Sequence, residues 1–149
     1  DMMDMTKFDL SWSVGFMFDT TLAITRMIFE GFFDQYPHLK IIASHGGGTL
    51  PYLIGRFEKG NEVEIPQRRQ MKKNPADYLR HIYYDCITYN PGALQYLISV
   101  AGPDHVMFGT DWPHQVHDIK GAFANTQQLP PEQREAIRGG NALKVFNIR

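Results

Sequence analysis

The sequence of 149 residues contains one cysteine, almost no net charge and no long apolar run. One cysteine excludes an intrachain disulfide framework and a cysteine-rich zinc module. The formal net charge of -1 gives no support to charge-driven binding of nucleic acid. No apolar run approaches the roughly 18 residues of a membrane-spanning helix, and no signal-peptide pattern opens the chain. We therefore expect a cytoplasmic protein that binds neither nucleic acid nor membrane.

The sequence does contain enough apolar material for a packed core. Its composition is 43% hydrophobic, 13% aromatic and 21% charged, which excludes a mainly disordered chain. The first residue is Asp1 rather than Met, and residues 1–8 show no capping or strand pattern. Such a start is typical of a loop, so both a processed chain and a piece of a longer protein stay open.

Helices are predicted in four main segments. Apolar residues recur at helical spacing over residues 20–35, with Asp19 or Thr20 as N-cap and Pro37 as the stop. Thr49 as a cap and Pro51 in the first turn predict a helix after residue 48. Further helices are predicted over residues 91–100 and 130–148, the last divided near residues 139–141. Polar residues 58–74 indicate an exposed loop before a short helix at 75–80.

Three short apolar runs rich in β-branched or aromatic residues predict strands at 39–44, 82–86 and 105–109. The first has the composition of a strand that is buried on both faces, as in a parallel sheet. Cys86 is interpreted as a small buried apolar residue. Because helices and strands alternate along the chain, we predict an α/β fold with a parallel sheet.

Ionisable side chains follow two of these strands. His45 begins a His-Gly-Gly-Gly run, and Asp111 follows the third strand. Taken alone, a strand-end histidine is more often a hydrogen-bonded surface residue, and a strand-end aspartate is often a helix cap. Functional groups of parallel α/β sheets collect at the carboxyl ends of strands. The pair therefore predicts one active site, with residues 82–86 between His45 and Asp111.

Two motifs resemble those of the metal-dependent decarboxylases of the amidohydrolase superfamily, above all their aminocarboxymuconate-like branch. Residues 43–48 (Ala-Ser-His-Gly-Gly-Gly) with 53–56 (Leu-Ile-Gly-Arg) resemble the sixth-strand region, and 106–113 (Val-Met-Phe-Gly-Thr-Asp-Trp-Pro) the eighth strand. Residues 140–142 (Gly-Asn-Ala) fit the closing helix of the family. The resemblance implies a (β/α)8 TIM barrel, of which this chain would supply about strands 6–8 with their flanking helices.

The resemblance also implies roles for three residues. Asp111 matches the metal-ligating aspartate, and His45 matches the histidine that acts in acid/base chemistry beside the metal-bound water. Arg56 matches an arginine that binds the substrate carboxylate from the neighbouring subunit, which implies a homodimer of the full-length protein. An exposed arginine on a helix surface is the alternative interpretation of Arg56. The implied cofactor is a divalent metal, with Zn²⁺ as the expectation.

Length indicates that part of such a barrel is absent. A (β/α)8 barrel needs about 250 residues, the family's His-x-His pair does not occur here, and the first histidine is His38. We expect residues 1–149 to be a partial domain that lacks its N-terminal half. The implied function is decarboxylation of a small unsaturated or aromatic carboxylic acid. A hydrolase or hydratase of the same superfamily, and a truncated chain without activity, stay open as alternatives.

Overall fold

The computed structural model describes residues 5–63 and 70–148. Their centre is a parallel sheet of three strands in the order β1-β2-β3. The strands are β1 (Ile42–Ala43), β2 (Tyr83–Asp85) and β3 (Val106–Met107). Ala43 lies opposite Tyr84, and Tyr84 lies opposite Val106. The predicted α/β class with a parallel sheet is therefore confirmed, although each strand is shorter than its apolar run.

Helices surround this sheet along most of the described chain. They are α1 (Phe16–Phe29), α2 (Phe32–Gln35), α3 (Leu50–Glu62), α4 (Pro75–Leu79), α5 (Pro91–Ala101), α6 (Ile119–Gln127), α7 (Pro131–Glu135) and α8 (Asn141–Phe146). Short 3-10 segments lie at Lys7–Asp9, His45–Gly47 and Pro103–His105, and π-helical turns lie at Ser11–Gly15 and Ala136–Gly140. None of the helices in the described part of the chain is long and apolar enough to cross a membrane.

The first predicted helix is wrong in its start and in its continuity. The chain is already helical from Ser11–Gly15 and runs directly into α1, so Asp19 and Thr20 lie inside a helix rather than capping it. Gly31 then separates α1 from α2 with a positive φ of 69°. A Cβ atom there would lie 2.8 Å from the carbonyl oxygen of Gln70, so only glycine fits this approach.

Four further predictions need correction. The predicted loop from residue 58 begins as helix, because α3 continues to Glu62, and residues 64–69 lie outside the described residues. Thr49 makes no side-chain cap; its hydroxyl instead lies 3.0 Å from the Thr21 hydroxyl. The C-terminal segment is not divided at residues 139–141, since the π-helical turn joins α7 to α8. The first strand is not buried on both faces, because Ile42 is 42% exposed.

The core lies around the central strand β2. Tyr84 is fully buried there, and its hydroxyl donates a hydrogen bond to the Leu79 carbonyl oxygen at 3.0 Å. The fully buried apolar residues of this core come from helices, strands and connections along the described chain: Ile28, Leu50, Leu79, Ile82, Leu94, Val106 and Ile137. Burial of each such aliphatic side chain contributes roughly 1.5–3 kcal/mol. Cys86 is buried, as predicted.

The amino end of β3 is held by a buried amide from α8. Asn141 Nδ2 donates to the carbonyl oxygens of Pro103 at 2.8 Å and Val106 at 2.7 Å. Val106 is the first residue of β3, and Pro103 begins the 3-10 segment that precedes it. The Asn141 amide thus fixes α8 against the sheet at the amino ends of the strands, opposite their carboxyl ends.

Candidate active site

The structure brings His45 and Asp111 together at the carboxyl edge of the sheet. His45 follows β1 after Ser44 and begins a 3-10 turn, and Asp111 lies in the loop after β3. His45 Nε2 and Asp111 Oδ1 are 3.6 Å apart, although β2 separates the two strands that carry them. The predicted geometry, with both groups at one edge and residues 82–86 between them, is confirmed.

The glycines after His45 allow the backbone of α1 to approach the backbone of the turn closely. Gly46, Gly47 and Gly48 all have positive φ values, between 61° and 81°. A Cβ atom at Gly48 would lie 2.5 Å from the Met17 carbonyl oxygen of α1. Glycine at this position therefore lets α1 pack directly against the turn that carries His45.

Asp85, the last residue of β2, hydrogen-bonds to the backbone of the turn that begins at His45. Its Oδ2 accepts the His45 N–H at 2.9 Å, and its Oδ1 accepts the N–H groups of Gly46 at 2.9 Å and Ile87 at 3.0 Å. Burial raises the pKa of the Asp85 carboxyl above its usual value, against the opposing effect of these three donors. Asp85 was not predicted as a site residue, although an acid at the end of an apolar strand is the same signal that selects Asp111.

Tyr89 is a second site residue that was not predicted from the sequence. Its hydroxyl donates to Asp111 Oδ2 at 2.8 Å. Burial, followed by the contact with the Asp111 carboxylate, raises the pKa of the Tyr89 hydroxyl well above its usual range. The only signal in the sequence is its position shortly after a strand, and a tyrosine there is not distinctive.

His45, Tyr89 and Asp111 share an uncommon backbone conformation. Their φ values are 55°, 53° and 63°, in the left-handed region that non-glycine residues rarely adopt. Each such residue costs on the order of 1–3 kcal/mol and is typical of functional sites. All three follow strands of the sheet and direct their side chains to one place.

A cavity of about 900 Å³ opens at this edge. Its wall includes five aromatic side chains: Trp12, Phe16, Tyr52, Tyr89 and Tyr96. The ionisable groups among its described lining are two carboxylates, two histidines and three tyrosines: Asp9, Asp111, His45, His114, Tyr52, Tyr89 and Tyr96. No lysine or arginine of the described residues lines it. The cavity thus has the size and apolar character of a small-molecule site with a few polar groups.

Arg56, the third predicted site residue, is not part of this constellation. It lies exposed in α3 and does not line the cavity. The structure therefore does not bring it to His45 and Asp111 within one chain. Its predicted contribution to a neighbouring subunit stays a prediction.

The donor groups fit part of a metal site. Asp111 offers a carboxylate, His45 offers an imidazole, and the buried His45 Nδ1 has no hydrogen-bond partner among the described residues. Both donor types bind divalent cations. Within residues 5–63 and 70–148, however, no cluster of three or more His, Cys, Asp or Glu side chains is arranged to hold an ion. Since catalytic zinc takes three protein ligands, a complete site requires ligands beyond these two.

Comparison with known proteins identifies the family. Residues 6–148 match the family model described as Amidohydrolase. The chain belongs to this amidohydrolase family, and its solved structural neighbours imply the TIM-barrel fold, of which the three-stranded parallel sheet is a part.

Named relatives of the chain are decarboxylases. It is 31% identical to 2-amino-3-carboxymuconate-6-semialdehyde decarboxylase of Dictyostelium discoideum, over 97% of this chain and 41% of that protein. It is 35% identical to 6-methylsalicylic acid decarboxylase of Penicillium expansum, over 91% of this chain and 44% of that protein. The chain thus spans less than half the length of these curated relatives.

A solved structure of similar fold is dihydroxybenzoic acid decarboxylase from Polaromonas sp. JS666. The TM-score is 0.82 and the sequence identity 27%, with 97% of this chain and 46% of that chain covered. That structure contains bound manganese and the inhibitor 2-nitroresorcinol.

Proposed function

We propose that this chain is part of a metal-dependent decarboxylase that acts on an aromatic or unsaturated carboxylic acid. The observation that carries the proposal is the pair formed by His45 and Asp111, 3.6 Å apart beside an aromatic cavity of about 900 Å³. An aromatic wall suits a flat, conjugated substrate. The named relatives, which act on aminocarboxymuconate semialdehyde and 6-methylsalicylic acid, support the same substrate class.

In this proposal, Asp111 is a ligand of a divalent cation. When bound, the cation would polarise the substrate and supply positive charge for its carboxylate. The manganese of the Polaromonas structure supports a divalent ion, whereas Zn²⁺ stays a prediction. The remaining ligands would come from residues beyond the described part of the chain.

His45 would be the proton donor of the reaction. An imidazole both donates and accepts protons near neutral pH. His45 lines the cavity, and Asp85 accepts its backbone N–H. His45 would deliver a proton to the substrate carbon that bears the carboxylate, so that a C–H bond forms. The C–C bond to the carboxylate then breaks, its electron pair returns to the conjugated system, and CO₂ leaves.

The rest of the barrel completes this proposal. We take β1, β2 and β3 as its sixth, seventh and eighth strands, and residues 1–149 as a partial domain whose N-terminal half carries the missing ligands. Arg56 would bind the substrate carboxylate of a neighbouring subunit in a homodimer, and its planar guanidinium suits that anion. Its exposure on α3 supports this role. The cytoplasmic location stays a prediction.

The test uses the complete enzyme loaded with Mn²⁺ and the variants Asp111→Ala, His45→Ala and, as a control, the exposed Asp19→Ala. CO₂ release from 6-methylsalicylate and 2,6-dihydroxybenzoate is measured beside metal content per chain. We expect both site variants to lose turnover, Asp111→Ala to lose metal and His45→Ala to retain it. Equal metal loss in both would make His45 a ligand. Hydration or hydrolysis without CO₂ release would overturn the decarboxylase proposal.

A further inference from the structure

We infer that Tyr89 is a positioning residue of this site, whose hydroxyl fixes the orientation of the Asp111 carboxylate and so determines which oxygen faces the cation. The inference rests on the proposed function, because it assigns Asp111 to the metal. The role needs the hydroxyl and not the ring, which separates it from a residue that only shapes the cavity.

The hydrogen bonds of Asp111 distinguish its two oxygens. Oδ2 accepts the Tyr89 hydroxyl at 2.8 Å, whereas Oδ1 lies 3.6 Å from His45 Nε2. The terminal torsion of an aspartate is broad, so a carboxylate without a fixed partner samples many orientations. A hydroxyl on one oxygen removes this freedom and leaves the other oxygen, next to His45, for a ligand.

Tyr89 adopts its uncommon conformation at a half-buried position. Its φ is 53° and the residue is 48% exposed. Hydrogen bonds of the neighbouring residues fix the connection that carries it. The Thr88 hydroxyl donates to the Asn90 carbonyl oxygen at 3.0 Å, and Asn90 caps α5 by accepting the Ala93 N–H at 3.0 Å. Tyr89 is thus held between a turn and a cap, with its hydroxyl on Asp111.

A role as proton donor to the substrate fits the geometry less well. A tyrosine has one O–H donor, and in this structure Asp111 Oδ2 accepts it. Residues that hydrogen-bond a metal ligand orient it, and their loss typically lowers metal affinity or activity by 10- to 100-fold. Tyr89 has the contact that such a role requires.

The chain offers a matched control. Tyr96 lines the same cavity, and its hydroxyl donates to the Pro51 carbonyl oxygen at 3.3 Å rather than to Asp111. Tyr89→Phe and Tyr96→Phe each remove one hydroxyl and keep the ring. A difference between them therefore reports on the contact with Asp111.

The first measurement is the rate at which the complete enzyme, loaded with Mn²⁺, releases its metal to a chelator. We expect Tyr89→Phe to release Mn²⁺ about 10-fold faster than wild type and Tyr96→Phe to match wild type. In an Asp111→Asn background, Tyr89→Phe should add nothing, because both changes act on one carboxylate. Equal release rates of Tyr89→Phe and wild type, or an undiminished effect in the Asp111→Asn background, would overturn the inference.

The second measurement needs no metal and uses the 149-residue chain. The carboxyl ¹³C resonance of Asp111, assigned through Asp111→Asn, should shift in Tyr89→Phe and stay in place in Tyr96→Phe. An unchanged resonance in Tyr89→Phe would overturn the inference. A complete wild-type enzyme that retains no Mn²⁺ would instead contradict the metal part of the proposed function, and this resonance would then decide the role of Tyr89 by itself.

Discussion

At the scale of single residues, the carboxylate of Asp85 holds the turn that carries His45. Asp85→Asn replaces one acceptor oxygen with an NH₂ group, which would face a backbone N–H now bound by that oxygen. We expect a loss of roughly 1–3 kcal/mol in the free energy of unfolding, measured by urea denaturation. The exposed Asp19→Asn should leave the midpoint unchanged. Equal midpoints for both variants would show that the three contacts of Asp85 contribute nothing.

His81 predicts a dependence of stability on pH. Burial, followed by the charges of Lys73 and His105, lowers the pKa of His81, against the Leu39 carbonyl and Asp34, which raise it. The folded state therefore disfavours the protonated ring, whereas the unfolded chain accepts a proton near pH 6.5. Stability linked to His81 should be present above about pH 6.5 and be lost as the pH falls through the lowered pKa.

The measurement is the free energy of unfolding between pH 7.5 and about 5, for wild type, His81→Gln and the exposed His38→Gln. We expect His81→Gln to flatten the decline and His38→Gln to follow wild type. Parallel curves for wild type and His81→Gln would contradict the assignment.

Which site residues the sequence could predict depends on how local their signal is. His45 and Asp111 each follow an apolar run, so the strand-end rule selects them without knowledge of the fold. Asp85 obeys the same rule, but the predicted strand extended to residue 86 and so hid its end. The role of Tyr89 depends on a positive φ and on a contact with a residue from another strand. Neither property is present in the local pattern.

At the scale of elements, Tyr78 connects α4 to α2. Its hydroxyl donates to Asp34 Oδ2 at 2.5 Å and accepts the backbone N–H groups of Lys72 at 2.9 Å and Lys73 at 3.0 Å. Tyr78→Phe keeps the buried ring but leaves these groups without that partner. We expect a loss of roughly 1–3 kcal/mol in unfolding free energy, measured by thermal denaturation. Tyr36→Phe, at an exposed tyrosine, is the control and should change little.

The helices differ in how well the sequence predicts them, for physical reasons. The structure confirms α5. This helix could be predicted because a proline in its first turn and a regular apolar face are both local signals. Helix α6 was not predicted, because it buries only Ala122 and Thr126 and so presents almost no apolar periodicity. Its one local signal is Asp118, whose Oδ1 accepts the Gly121 N–H at 2.7 Å. The break at Gly31 depends on Gln70, which is distant in sequence.

At the scale of the whole molecule, β1 and β3 are edge strands among the described residues. Unpaired strand edges promote association between chains, and Ile42 of β1 is exposed. We expect the isolated 149-residue chain to form concentration-dependent oligomers in sedimentation experiments, and Ile42→Lys to reduce them. Phe146 is an exposed apolar residue of α8, and Phe146→Lys tests whether the loss of any exposed apolar side chain reduces oligomer formation to the same extent. A wild-type chain that stays monomeric at every concentration would contradict this prediction.

The isolated chain should also be nearly inactive. Asp111, the one metal ligand proposed among the described residues, cannot by itself supply the three protein ligands of a catalytic zinc site. We expect weak binding of Zn²⁺ or Mn²⁺ in equilibrium dialysis and no release of CO₂. Addition of the N-terminal half of the enzyme should restore both. Turnover by the 149 residues without that half would show that they contain a complete site.

The proposed catalytic residues and the residue that anchors α8 lie at opposite ends of the strands. His45, Tyr89 and Asp111 lie on connections that leave the carboxyl ends of the strands, whereas Asn141 fastens α8 to the opposite end of β3. Mutational drift in the three connections can therefore alter what the cavity accepts while the anchoring amide stays in place. Directed evolution of a new substrate preference would do best to randomise the other cavity-lining residues of these connections, keep His45, Tyr89 and Asp111, and leave the opposite end of the sheet unchanged.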